Sequence, residues 1–356
     1  TIPLQIELLE PLNAKLFLKG VEDVPVRVNV TDECGGVSNA SVTIKSQQLG
    51  ASPPEKDCVQ DQSPPGQIIE EAQGIYKCVF RADTTAQPEP TWLYGYTNVS
   101  IKAEKEYYNA SETNLTINSY YLASKPVITL GTVYTDTGST GWGDNWHFPF
   151  SVEDEDYNAQ LGSTINVYFW LNLTGEWELA DQKVCVPAVG NCTNIEFYPI
   201  TFTCNRTYSD VGIRMYKINV SDNFNYTDEK SSSISITEDQ ADVADVKWSK
   251  DQITRPGEES AWFAAKFYDT IKGTEINFAG VNGSIYITTD GSNFLFNEKL
   301  VTQADGYFNY TFDPNCTFGA GVQYWKIDLE DSCYYTASSG NCLLYTSDAA
   351  DELDGV

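Results

Sequence analysis

Residues 26–32, VRVNVTD, place an apolar side chain at every second position (Val26, Val28, Val30) and end in Asp32. The same arrangement returns at 148–154 as FPFSVED and at 263–269 as FAAKFYD. Successive side chains of a β-strand point to opposite faces, so this pattern predicts a strand with one buried face. Its return after about 110 to 120 residues predicts three copies of one unit along the chain.

A second strand pattern occurs late in each predicted unit. Two alternating apolar residues precede a tyrosine there: Val99, Ile101 and Tyr107; Ile218, Val220 and Tyr226; Ile327, Leu329 and Tyr335. Turn residues separate further short strands, and no long segment has the period of a helix. Roughly seven short strands in each unit are typical of an antiparallel sandwich. The sequence therefore predicts an all-β chain of three tandem Ig-like antiparallel β-sandwich domains, at 1–122, 123–238 and 239–341.

These segments also resemble a known family. Ile6–Pro11 (IELLEP), Val26–Asp32 and Ser41–Ile44 (SVTI) are similar to the Ig-like repeats of large prokaryotic, especially archaeal, cell-surface and S-layer-type proteins. The acidic run at 154–156 ahead of a strand resembles the Asp-rich repeats of the same proteins. The resemblance spans most of residues 6–341, and it implies an extracellular sandwich fold more than it implies a particular task.

The charge balance limits the partners. Fifty Asp and Glu residues outnumber 22 Lys and Arg residues, which gives the 356-residue chain a formal net charge of −28. A surface this negative repels phosphate, so we expect no nucleic-acid partner. The single histidine, His147, has no Ser or Cys motif beside it that a nucleophilic mechanism would need. We therefore expect no enzyme activity and no required cofactor.

Asn-x-Ser/Thr sequons are in excess. Chance would give roughly four in a chain of this composition, whereas the sequence has thirteen, at Asn29, Asn39, Asn98, Asn109, Asn114, Asn172, Asn191, Asn205, Asn219, Asn225, Asn282, Asn309 and Asn315. This density predicts N-glycans and an extracellular location. Asn29, Asn98 and Asn219 lie next to inward-facing apolar residues, so we expect them to point outward from their strands.

The nine cysteines lack CxxC spacing, which favours disulfides over zinc. Cys316 and Cys333 follow consecutive predicted strands, and Cys185 and Cys192 flank a short loop, so we predict Cys316–Cys333 and Cys185–Cys192 bridges. The pairing of Cys34, Cys58, Cys78 and Cys204 stays open.

The C-terminal residues 342–356 differ from the rest of the chain. The run CLLYTSDAADE, residues 342–352, is similar to the in-frame translation of a transposase sequencing adapter. On this interpretation Asn341 is the last residue of the third domain, and residues 342–356 are an artefactual or disordered tail.

Two acidic runs have the oxygen donors that Ca²⁺ prefers. Asp154, Glu155 and Asp156 lie in a predicted strand-end loop, and Asp239, Asp242 and Asp245 lie at the second domain junction. Neither run matches an EF-hand, and a solvated acidic loop is the alternative interpretation. Calcium is therefore expected, if anywhere, at these six residues.

Aromatic residues of the second predicted domain suggest a sugar platform. Trp142, Trp146, Trp170 and Trp177 all fall in this domain, and Gly141 and Gly143 place the first two in a loop. We therefore predict Trp142 and Trp146 as the exposed carbohydrate-binding pair, against the alternative that these side chains belong to the core.

Together these patterns favour a non-enzymatic structural role, as glycosylated extracellular spacer modules of an S-layer or stalk protein. The alternative is an adhesin, or the carbohydrate-binding accessory region of a secreted hydrolase. Other cell-surface proteins or glycans are the expected partners. No apolar stretch has the length of a membrane span, so a membrane anchor is expected outside this sequence.

Overall fold

The computed structural model describes residues 2–48, 55–59, 67–80, 94–109, 114–155, 164–186, 192–205, 208–256 and 259–348. The chain is all-β: 63% of its residues lie in strands, and the described part contains no helix. Core side chains form three separate clusters, one for each sandwich. The predicted fold class is thus confirmed.

The first unit packs two sheets around an aliphatic core. Its strands are β1 (Ile2–Pro3), β2 (Gln5–Glu10), β3 (Lys15–Leu18), β4 (Val24–Asp32), β5 (Gly35–Gly36), β6 (Ser41–Gln47), β7 (Glu55–Val59), β8 (Ile69–Ala72), β9 (Ile75–Phe80), β10 (Gly95–Glu104), β11 (Tyr108–Asn109) and β12 (Asn114–Ala123). One sheet has the order β3-β12-β10-β6-β7 and the other β2-β4-β9-β8. Val28 of β4, Ile44 of β6 and Ile101 of β10 are fully buried between the sheets.

The second unit has an aromatic core. Its strands are β13 (Val127–Leu130), β14 (Tyr134–Thr135), β15 (Trp146–Glu153), β16 (Ile165–Asn172), β17 (Trp177–Cys185), β18 (Ile195–Ile200), β19 (Gly212–Ser221) and β20 (Thr227–Ile236). One sheet has the order β13-β15-β14 with β18 also on β15, and the other β17-β16-β19-β20. The Phe197 ring stacks on Phe150 and Phe169 at centroid distances of 5.2 and 5.0 Å.

The third unit repeats this arrangement. Its strands are β21 (Ala241–Trp248), β22 (Gln252–Arg255), β23 (Ala261–Asp269), β24 (Thr274–Glu275), β25 (Asn282–Ile287), β26 (Phe296–Val301), β27 (Tyr307–Phe312), β28 (Gly321–Leu329), β29 (Ala337–Ser338) and β30 (Cys342–Asp348). One sheet has the order β21-β23-β24 with β27 also on β23, and the other β22-β30-β28-β25-β26. Trp325 of β28 stacks on Phe263 of β23 across the core, at 4.4 Å between ring centroids.

The two repeated sequence patterns occupy facing sheets. β4, β15 and β23 carry the first pattern, and β10, β19 and β28 carry the second in the opposite sheet of each unit. Each strand of the second set pairs with the middle strand of its unit, namely β6, β16 or β25. Most pairs are antiparallel, as predicted. The β3–β12 and β22–β30 pairs are parallel, because in the first and third units the chain changes sheet shortly after its first long strand.

The expectation of a disordered tail is wrong for residues 342–348. These residues form β30, which pairs with β28 on one side and with β22 on the other. Leu344 and Thr346 are fully buried, whereas Leu343 and Tyr345 are exposed. The alternation alone predicts a half-buried strand, and the similarity to an adapter sequence says nothing about side-chain periodicity. The third unit therefore extends to Asp348.

Three disulfides form, and one predicted bridge is confirmed. Cys185 and Cys192 are bonded to each other, as predicted. Cys58 of β7 is bonded to Cys78 of β9 and thereby joins the two sheets of the first unit. The third bridge joins Cys204 to Cys333.

The predicted Cys316–Cys333 bridge is wrong. Cys316 follows β27 and Cys333 follows β28, and β28 runs along the whole sandwich between them. Nine residues at about 3.3 Å each put these strand ends about 30 Å apart, at opposite ends of the unit. Cys316 is a free, exposed thiol, as is Cys34.

Candidate functional site at the junction of the second and third units

A disulfide connects the second and third units. Cys204 lies in the loop after β18, and Cys333 lies in the loop after β28, 129 residues further along the chain. Both cysteines are buried. Only residues 237–240 link β20 to β21, so the two units are tied together at two places.

Trp142 packs into this junction. Its indole Nε1–H donates a 2.8 Å hydrogen bond to the Cys333 carbonyl oxygen, and its ring lies edge-on to Tyr334 at 6.0 Å. The Lys272 ammonium lies 3.1 Å from the centroid of the indole ring, a cation–π contact. A Cβ at Gly141 would collide with Asp239, and one at Gly143 would collide with Lys272. These glycines therefore permit close packing.

The prediction of Trp142 and Trp146 as an exposed sugar platform is wrong. Trp146 is 2% exposed and belongs to the core of the second unit, where its Nε1–H donates to the Gly141 carbonyl oxygen at 3.2 Å. Trp142 is half-buried and packs against Cys333 and Tyr334 of the third unit. A loop between glycines is exposed only when no neighbouring domain packs against it, and here the loop forms the joint.

Asp239 is the buried carboxylate of the junction. Its side chain is completely buried and accepts a 3.3 Å hydrogen bond from Lys272, which also donates to the buried Asp269 at 3.1 Å. The backbone of Asp239 donates to the Cys333 carbonyl and accepts from the amide of Tyr335. Burial raises the pKa of the Asp239 carboxyl to about 6, although the Lys272 charge opposes that shift. The Lys272 ammonium thus supplies the positive charge between two buried carboxylates.

The three acidic residues predicted as a junction calcium site do not converge. Asp245 forms an ion pair with Lys247 at 2.7 Å and accepts a 2.6 Å hydrogen bond from the Tyr307 hydroxyl. Asp242 is exposed, and its carboxylate accepts the N–H of Val243. Asp239 lies in the connection before β21, whereas Asp242 and Asp245 belong to the strand itself, where a bulge near residue 244 shifts the register.

In the other predicted calcium site, at residues 154–156, the two described residues differ in their exposure. Asp154 is buried and accepts a hydrogen bond from the Ser124 hydroxyl, whereas Glu155 is exposed. Asp156 lies outside the described residues. Across the described ranges, no three His, Cys, Asp or Glu side chains are grouped so that they could hold a metal ion.

His147 is surrounded by two carboxylates and two tyrosine rings. Its Nε2 lies 2.7 Å from Asp136 and its Nδ1 lies 3.0 Å from Glu196. Tyr134 and Tyr198 stack on opposite sides of the ring at 4.3 and 3.9 Å. Burial would lower the pKa of this imidazole, but the hydrogen bonds to the two carboxylates raise it overall. Two acceptors on two ring nitrogens suit the doubly protonated imidazolium.

The predicted sequons lie on the surface wherever their surroundings are described. Asn39, Asn205, Asn225, Asn282, Asn309 and Asn315 are exposed, and Asn29, Asn98, Asn172 and Asn219 are half-buried. The last four point outward from their strands, because the residue on at least one side of each is inward-facing. The side chains of Asn109 and Asn114, and all of Asn191, lie outside the described part. No asparagine of the ten described sequons is buried.

Comparisons with known proteins concern the fold. No protein-family model matches the chain, and no curated protein matches it. A solved tetra-tandem repeat from the extending region of a large adhesion protein is similar, with 12% identity and a TM-score of 0.49, over 97% of this chain and 74% of that one. Invasin, a bacterial integrin-binding protein, is similar with 13% identity and a TM-score of 0.39, over 97% of this chain and 60% of that one. The FN1–FN3 domains of chicken CNTN1 are similar with 13% identity and a TM-score of 0.28, over 97% of this chain and 98% of that one.

At such identities a likeness concerns the fold alone. Where the structure describes the chain, no helix has the length and hydropathy needed to cross a membrane.

Proposed function

We propose that this chain is a non-enzymatic extracellular spacer, a row of Ig-like units within a cell-surface protein of the S-layer or stalk kind. The observation that carries the proposal is the second junction, where a disulfide, a buried aspartate and a tryptophan are shared between units. Domains joined by a small polar contact move relative to one another, whereas a covalent link with a packed interior restrains them. Such a joint suits a part whose task is to hold a distance.

The first junction supports the same role. Tyr121, at the end of β12, is 2% exposed and its ring packs against Phe224 of the second unit at a centroid distance of 4.8 Å. The hydroxyl of Ser124, in the connection to β13, donates a hydrogen bond to Asp154 of the second unit. Both joints thus contain buried side chains, which favours a stiff row of units over freely moving ones.

A distance measurement across the second junction tests this proposal. Spin labels would be placed on the exposed Cys316 and on Ser233→Cys of β20, with Cys34 and Cys342 changed to serine. Pulsed dipolar spectroscopy should then give one narrow distance distribution. The variant Cys204→Ser/Cys333→Ser should roughly double its width, because only the packing contacts would remain.

The matched control is Cys185→Ser/Cys192→Ser, which removes a bridge within the second unit and should leave the distribution narrow. A distribution already broad in the protein with all three bridges would refute the stiff-spacer proposal.

A further inference from the structure

The outer face of the β17-β16-β19-β20 sheet is unusually apolar. Met215 and Ile213 of β19 are 40% and 74% exposed, and Trp177 and Leu179 of β17 are 37% and 47% exposed. Trp170 of β16 belongs to the same face, since it pairs with Leu179. An exposed group of large apolar side chains on a sheet usually has an occupant.

Asn172 lies among these side chains. It is paired with Trp177 on the β17 side and with Met215 on the β19 side. Trp170 precedes it by two residues and therefore shares its face. The sequon Asn172-Leu173-Thr174 thus opens onto two indole rings and a thioether.

The orientation of the Asn172 amide fits attachment. Its Oδ1 accepts the N–H of Gly175 at 2.9 Å in the β16–β17 turn. This bond fixes the carbonyl side of the amide toward the turn, so Nδ2 points the other way. Gly175 has a φ of 101°, which a glycine adopts readily.

Lys217 orders the two indoles. Its ammonium lies 4.8 Å from the Trp177 ring centroid and 5.7 Å from that of Trp170, and it forms a 3.1 Å ion pair with Glu229. The ammonium thus lies over the indole rings, where it can donate hydrogen bonds to hydroxyl or acetamido oxygens.

We propose that the first sugar of an N-glycan on Asn172 packs on this face, against Trp177, Trp170 and Met215. A pyranose has an apolar face of C–H groups that covers an indole, while its hydroxyl groups remain hydrated. The sugar is favoured over a second protein chain because its attachment point lies within the apolar group. Asn219 carries a further sequon on the same face, opposite Tyr168, and a glycan there would hinder a flat protein partner.

The attachment is an ordinary glycosyl transfer. Nδ2 of Asn172 forms a bond to the anomeric carbon of a lipid-pyrophosphate-linked oligosaccharide. The bond from that carbon to the pyrophosphate oxygen breaks, the pyrophosphate leaves with the electron pair, and Nδ2 loses one proton to the solvent. The glycan proposal rests on the extracellular location in the proposed function but not on the stiff junction. The glycan proposal and the stiff-spacer proposal can therefore fail independently.

Local amide exchange tests the packing. The full chain would be secreted from insect cells and trimmed by an endoglycosidase to one N-acetylglucosamine per site. Mass spectrometry should find the sugar on Asn172. Amide hydrogens of the β16–β17 hairpin should then exchange about 2- to 10-fold more slowly than in Thr174→Ala, which keeps Asn172 but lacks the sequon.

Two comparisons separate packing from a general effect of glycosylation. In Trp170→Ser/Trp177→Ser the sugar should no longer slow exchange, while the unglycosylated forms report any change caused by the substitutions themselves. The matched control is Asn29, which also belongs to a Thr-type sequon on an outward strand position, but whose cross-strand neighbours are Glu7 and Ile75. Loss of the Asn29 glycan in Thr31→Ala should not comparably speed amide exchange in β4.

Three results would overturn the proposal: an unmodified Asn172, slowing that persists without the two indoles, or dimerisation of the glycosylated chain that Trp177→Ser abolishes. The last result would assign the face to a second copy of the chain.

Discussion

At the scale of single residues, His147 shows how the chain's one histidine connects neighbouring side chains of a sandwich. The His147 ring lies between two carboxylates and two tyrosine rings. The carboxylates of Asp136 and Glu196 are partly exposed, so solvent weakens each ion pair. The two hydrogen bonds nevertheless raise the pKa of His147 against the opposing effect of burial.

We predict that the pKa of His147 in the folded protein is higher than 6.5, which is the pKa of an unperturbed histidine. A raised folded-state pKa stabilises the second unit fully below the pKa of the unfolded state, and this contribution is lost as the pH rises through the folded-state pKa. Because the chain has one histidine, its ring signals in an NMR titration are unambiguous. Asp136→Asn and Glu196→Gln should each lower the pKa. A value below 6.5 in the unsubstituted protein would contradict the imidazolium assignment.

The sequence predicted these residue environments unevenly. Outward asparagines such as Asn29 and Asn219 were predictable because strand alternation is local. The partner of Trp142 was not, because its packing against another domain depends on residues about 190 positions away, such as Cys333. Trp146 is instead buried in the core of its own unit, the alternative that the sequence left open. Trp177 is exposed and Trp170 is half-buried. The outward phase of their strands was the usable sequence signal for both.

At the scale of elements, β30 completes the second sheet of the third unit. It lies between β22 and β28, the position that β12 has between β3 and β10 in the first unit. The strand pattern of the first and third units is thus the same at this edge. Its side chain Leu344 is fully buried in the core of the third unit.

We predict that removal of residues 342–356 destabilises the third unit by at least about 3 kcal/mol, since the loss of one buried leucine alone costs about 2 to 5 kcal/mol. Scanning calorimetry should show one transition shifted to lower temperature, and limited proteolysis should cut the third unit first. Removal of 349–356 alone is the control, because it leaves β30 intact. An unchanged transition in the longer deletion would show that residues 342–348 contribute nothing to the sandwich, as a foreign tail would.

Disulfide pairing marks the limit of sequence reasoning about elements. The sequence placed Cys316 and Cys333 after consecutive strands, but consecutive strands end at opposite ends of a sandwich. Odd numbers of cysteines in the first two predicted domains were the available signal for a bridge between domains, and the Cys204–Cys333 bridge is of that kind. Which domains it would join depends on the geometry of the joint, which no local pattern encodes.

At the scale of the whole molecule, the junction of the second and third units needs a cation beside its buried carboxylates. The acidic run at 239–245 suggested calcium, whereas Lys272 lies between Asp239 and Asp269 in the structure. Both carboxylates are buried, so removing the ammonium would leave two uncompensated charges close together. The stiffness of the row should therefore depend on a lysine.

We predict that Lys272→Met broadens the distance distribution between the Cys316 and Ser233→Cys labels at pH 8 and much less at pH 5. The pKa of Asp239 is about 6 with Lys272 present and rises when that charge is removed, so the carboxyl is protonated at the lower pH and then needs no counter-charge. Lys299→Met, which removes an exposed ion pair with Glu330, should leave the distribution unchanged at both values. In the unsubstituted protein, a calcium chelator should have no effect, because the Lys272 ammonium already lies between the two carboxylates. Broadening by the chelator with Lys272 in place would instead assign the joint to a metal ion.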